Sequence, residues 1–160
     1  MNLPVIFNSM NEVLKEIQIN ELMKFNDFSI QYGLILTEKD AMEIMEQRTY
    51  ALQSYGRIDL SIETLKELIN SFCTSDFINQ QNYTSTLIDL QEIFYYLKNE
   101  TEDSIGDEEL IERMMDYFNN SCKGSIELLQ GREIEIFARN IRAKNQLNDF
   151  LLGKDDNNGI

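Results

Sequence analysis

The sequence predicts an all-α protein, a single-domain bundle of about six helices. Three observations carry that prediction. Apolar residues recur at i, i+3 and i+4 along nearly the whole chain, and period-two alternation is almost absent. One Pro and seven Gly in 160 residues leave too little punctuation for the many turns of a β-fold. Each helical segment shows one apolar stripe, which another helix must cover. At 42% hydrophobic and 26% charged, the chain is neither collagen-like nor a disordered polyelectrolyte. One domain is expected over residues 1–152, with a disordered tail at 153–160.

The elements follow in order. Ser9 opens the first helix, with Glu12 in capping-box position and Met10, Val13, Leu14 and Ile17 as its core face. A short piece from Asn20 to about Phe28 presents Leu22, Phe25 and Phe28, and Gly33 then breaks the chain. Thr37 caps a helix that runs to about Tyr55 and stops at Gly56. Its stripe is Ala41, Ile44, Met45, Arg48, Leu52 and Tyr55. Ser61 to Cys73 is built on Leu65, Leu68, Ile69 and Phe72. Asn82 to about Lys98 is the longest clean amphipathic run, with Tyr83, Leu87, Leu90, Phe94 and Leu97 on its core face. Tyr95 and Tyr96 are expected at the core margin. Asp107 to Asn119 begins with three carboxylates, the sign that a helix N-terminus favours. Gly124-Ser125 opens the last segment, whose face Ile126, Leu129, Ile134, Phe137, Ala138 and Ile141 reaches about Lys144. Gly131 either separates two helices there or permits a close approach.

Charge and residue types exclude whole classes of function. The net charge is −14, which repels phosphate backbones and anionic membrane surfaces, so neither nucleic acid nor membrane is an expected partner. There is no His, hence no Ser-His-Asp or Cys-His pair and no imidazole ligand for zinc. Cys73 and Cys122 form no CxxC motif and sit on apolar stripes, the places of buried, reduced thiols. The uncharged start, Met1 to Asn11, lacks the basic opening of a signal peptide. No apolar run approaches the ~20 residues of a membrane span. A cytoplasmic protein is expected, and no catalytic residue, metal ligand or cofactor is assigned.

Three clusters could carry a function. Arg48 interrupts an apolar stripe, and with Arg57, Glu92 and Tyr96 it could line a pocket for a small polar ligand. Glu100, Glu102, Asp103, Asp107, Glu108 and Glu109 crowd six carboxylates into ten residues, which reads as a solvated loop and helix start. Arg132, Arg139, Arg142 and Lys144 against Glu133 and Glu135 make the clearest positive island on an acidic chain. Ion pairs within the helix or to the acidic run explain the island, and a docking surface for an acidic partner is its functional reading. The expected function is a non-enzymatic interaction module that binds another protein through an apolar groove or this island. The alternative is a small-ligand-binding protein or minor enzyme using the Arg/Tyr/carboxylate pocket. A nucleic-acid mimic ranks last, because the carboxylates are spread over every helix. Oligomeric state is left open.

Several stretches are familiar together: Tyr32-Gly33-Leu34, Arg48 with Tyr55-Gly56-Arg57-Ile58, Phe72-Cys73, Leu90 to Thr101 (LQEIFYYLKNET) and Cys122-Lys123-Gly124-Ser125. Through them the chain resembles a family of uncharacterised proteins from clostridia and related Firmicutes, from about residue 20 to about 142. The resemblance implies a bacterial cytoplasmic protein and carries no activity with it.

Overall fold

The computed structural model describes the backbone of residues 3–55 and 61–158, and side chains over 12–51 and 61–152. In chain order the helices are α1 (Leu3–Met23), the single turn α2 (Asn26–Ser29), α3 (Glu38–Tyr55), α4 (Ile62–Phe72), α5 (Tyr83–Glu100), α6 (Asp107–Asn119), the single turn α7 (Ile126–Leu128) and α8 (Ile134–Asn158). Six of them are long, and no strand occurs among the described residues. The fold is an all-α bundle.

The bundle is arranged around α5, which packs against α3, α4, α6 and α8. A helix covered on several sides must be apolar on several sides. Accordingly Leu87, Leu90, Ile93, Phe94 and Leu97 are all buried. Tyr95, expected at the margin, is 1% exposed, because its side of the helix also has a neighbour. Tyr96 is half-buried. Both cysteines are buried free thiols. Burial pushes each thiol pKa up, although Tyr83 Oη lies 3.3 Å from Cys73 Sγ.

Local chemistry explains several helix ends. Thr37 N–H donates to Asp40 Oδ2 at 2.9 Å and Asp40 N–H returns a bond to Thr37 Oγ1 at 3.1 Å, a reciprocal capping box. Ser61 Oγ accepts from Thr64 N–H at the start of α4. The stop expected at Gly56 lies outside the described residues. At the end of α5, Glu102 N–H bonds Asn99 C=O and Asp103 N–H bonds Lys98 C=O, the paired bonds of a Schellman motif. Such a motif wants glycine in its left-handed position, yet Glu102 sits there at φ 54°. Glu102→Gly is therefore expected to raise stability by up to ~1 kcal/mol in urea unfolding; a loss would mean that the glutamate side chain holds the turn.

Four features depart from the sequence reading. First, α1 begins at Leu3 rather than after Ser9 and runs unbroken to Met23. Its anticipated core face points outward: Val13, Leu14 and Ile17 are 53–56% exposed. The anchors are Ile19 and Leu22, on the opposite side. Second, the stretch after Gly33 is extended, with Leu34 and Leu36 buried at period two. Two side-chain amides replace strand neighbours. The Asn26 amide accepts from Leu36 N–H and donates to Leu36 C=O, at 2.7 and 2.8 Å, and Gln80 does the same to Ile35.

Third, Gly131 neither breaks the last helix nor admits a neighbour. It lies in a π-helical turn, Leu129–Glu133, and a Cβ built on it would touch nothing. The turn solves a spacing problem. Leu129 and Ile134 are both buried but five residues apart, and i, i+5 share a face only across a π turn. Fourth, α8 continues past its expected end at about Lys144, to Asn158.

Charge ties α1 to α4. Lys66 Nζ donates to Glu21 Oε2 and Lys24 Nζ to Glu21 Oε1, both at 2.9 Å. Lys66, then Lys24, lower the Glu21 pKa to about 2. A carboxylate lowered in the folded state stabilises fully above its unfolded pKa, and that contribution disappears as pH falls through the folded value. The Glu21 share of stability is thus expected to fade between pH ~4.3 and about 2. Lys66→Met should return the Glu21 carboxyl, followed by NMR titration, towards its ordinary range; an unmoved titration would refute the pairing.

Candidate functional site

Members of the three predicted clusters, Tyr96, Glu100 and Arg142 with Glu135, meet at the seam between α5 and α8. Tyr96 Oη donates to Glu135 Oε2 at 2.5 Å. Arg142 Nη1 lies 2.5 Å from Glu100 Oε2, and its Nη2 lies 3.5 Å from Glu135 Oε1. Helical spacing makes this geometry: Tyr96 and Glu100 are one turn apart on α5, and Glu135 and Arg142 two turns apart on α8. Burial first, and then the Glu135 hydrogen bond, push the Tyr96 pKa up to about 12. The phenol is a donor at neutral pH, and the guanidinium is engaged by two carboxylates. Such a quartet fastens two helices together.

The remaining predicted residues lie apart from it. Arg48 is half-buried on α3 and already engaged. Glu92 is half-buried on α5, one turn before Tyr96. Arg57 lies outside the described residues. Surface hollows of the described residues lie along α6, between α4 and α6, beside α1 and α2, and between α6 and α8; Arg48, Glu92 and Tyr96 line none of these. The one between α4 and α6, about 330 Å³, is edged by Glu67, Glu108 and Glu112 over Ile111 and Met115.

Half of the acidic run is answered by the chain's own cations. Lys98 is only 6% exposed, and its ammonium is held by Asp103, by Asp107 at 2.7 Å and by Ile105 C=O at 3.2 Å. Burial works against that charge, but the two carboxylates outweigh it and keep Lys98 above the ordinary lysine range. Thr64 Oγ1 donates to the other Asp107 oxygen, linking α4 to the same knot. With Glu100 on Arg142, three of the six carboxylates have partners inside the fold.

What the sequence reading missed is the outward side of α8. Ile134 and Ala138 are buried and Phe137 and Ile141 half-buried on the side facing the body. Ile136, Asn140, Ala143, Leu147 and Phe150 follow one another at spacings of four and three on the other side, and all are exposed. Ile136 is 48% exposed, Leu147 57% and Phe150 65%. Arg139 and Lys144, both exposed, stand at the two edges of this stripe. Arg132, 71% exposed and 3.9 Å from Glu133, lies just upstream in the π turn. The positive island therefore divides: Arg142 turns to α5 and Arg139 turns outward. The signal was present in the sequence as the heptad from Ile136 to Phe150, which continues past the expected end at Lys144.

Among the described residues no helix is long and apolar enough to cross a membrane. No curated protein and no solved structure matches the chain. Residues 21–147, the bundle from the end of α1 to the outward stripe of α8, match a family of unknown function (DUF6323), and the chain belongs to that family.

Proposed function

We propose that this is a non-enzymatic interaction module of a bacterial cytoplasm that docks a protein along the outward face of α8. One observation carries the reading: an exposed heptad stripe, apolar except for Asn140, with a cation at each edge. Scattered exposed apolar residues are ordinary on a soluble protein, whereas an aligned row on one helix is the form that binds another helix. The basic edges select acidic neighbours and would make docking weaken with salt. The quartet beneath supports this use, since it holds α8 on α5 without drawing on the outward side chains.

The test is a photo-crosslinking side chain introduced at Leu147 in the source cell. A discrete protein adduct is expected there, and none with the same group at the exposed Glu109 of α6. Equal, diffuse labelling at both positions would remove the reading.

A further inference from the structure

Two apolar faces of this chain are turned away from its core. One is the outward stripe of α8. The other is on α1, where Val13, Leu14 and Ile17 are 56%, 55% and 53% exposed. The sequence repeats the same three–four spacing upstream of Val13 at Leu3, Ile6, Phe7 and Met10. Within the chain neither face serves the other, since α1 packs on α3 and α8 on α5.

Resting on the docking role of α8, we propose that its occupant is α1 of a second copy, exchanged reciprocally in a two-fold dimer. Charge favours this cross-pairing over pairing like with like. Parallel pairing of two α8 stripes would set Arg139 of one copy against Lys144 of the other, five residues on. Pairing two α1 faces would bring no cation to offset Glu16, the exposed carboxylate at the edge of the Val13–Ile17 face. Placing α1 on α8 sets Glu16 against one of the edge cations, Arg139 or Lys144. Reciprocal exchange gives two such contacts per dimer and closes without an open end, so it forms no filament. Asn140, within the stripe, is the kind of polar residue that sets register between paired helices. The family match covers 21–147, so the exposed face of α1 lies before it, whereas the stripe of α8 lies within it except for Phe150.

Sedimentation of the purified full chain tests this. The expected mass is twice 18.8 kDa. Val13→Glu with Ile17→Glu, and separately Leu147→Glu with Phe150→Glu, should each give a monomer with unchanged helical content, because the altered side chains are exposed. Mixed in equal amounts, the two monomeric variants should regain a dimer, since one α1 and one α8 remain intact and complementary. Like-with-like pairing cannot rescue in that way, so a pair that stays monomeric on mixing overturns the exchange. A monomeric wild-type chain overturns it as well. The docking role is judged separately by the crosslink at Leu147. An adduct to a different protein with a monomeric chain retains that role and rejects the second copy, and no adduct with a monomeric chain rejects both.

Discussion

Phe118→Ala is expected to cost about 4 kcal/mol of unfolding free energy, in the range for deleting a buried aromatic. Phe118 is 1% exposed on α6. Its ring meets Phe72 of α4 edge-on at 5.5 Å between centroids and Phe77 at 6.3 Å. Edge-to-face pairs add to the area term, so both partners lose contact when the ring goes. Phe72 is itself fully buried near the end of α4 and cannot swing in to fill the space. The melting temperature should fall by roughly 8–16 °C for a chain of this size. Phe77→Ala is the control and should cost well under half as much, since Phe77 is 39% exposed. Equal losses from the two would mean that the α4–α6 contact is not the packed core described above.

Gly124→Ala should be nearly as damaging, by a different route. Gly124 has φ +80°, a conformation that costs an L-residue about 1–2 kcal/mol. A Cβ there would also fall 2.5 Å from Phe77 Cβ and 2.6 Å from its Cγ. The nearest atom belongs to the root of the side chain, so a change of rotamer cannot relieve the contact and the backbone must move. Overpacking of that kind costs typically 1–3 kcal/mol more, giving a total of about 3 kcal/mol. Gly131→Ala supplies the contrast, because a Cβ on Gly131 meets nothing. Similar urea midpoints for the two variants would show that the close approach of Gly124 to Phe77 is wrong.

The parts of the fold legible in the sequence are those set within one turn of helix. Thr37 with Asp40, Ser61 at the start of α4, and the span Asp107–Asn119 all follow from neighbours three or four residues away. The parts that escaped depend on distant partners. Nothing near Ile35 announces that Gln80, 45 residues on, will hold its backbone. A stripe such as Val13, Leu14 and Ile17 demands cover but does not say whether the cover lies in the same chain. Ser9 and Glu12 have capping-box spacing, but a helix already under way at Leu3 leaves that box no end to cap. At the candidate site, the positive island was visible as composition. Its division into an inward Arg142 and an outward Arg139 required knowing which way the π turn aims α8.

The π turn also governs how this surface responds to a change in chain length. Each residue advances an α-helix by about 100°. Removing Gly131 would leave Leu129 and Ile134 four apart, the natural spacing of an uninterrupted helix, and both could stay seated in the core. The segment joining them would then lose its bulge and its length, but not its anchors. Adding a residue instead would put those anchors out of phase and roll the outward row of α8 towards the body. The outward row thus tolerates a one-residue deletion here and is turned by a one-residue insertion, and Gly131, on which a Cβ would touch nothing, is where either is accommodated most easily. Lineages that kept the bundle and changed what it docks could have done so by length alone, without altering a side chain in the core.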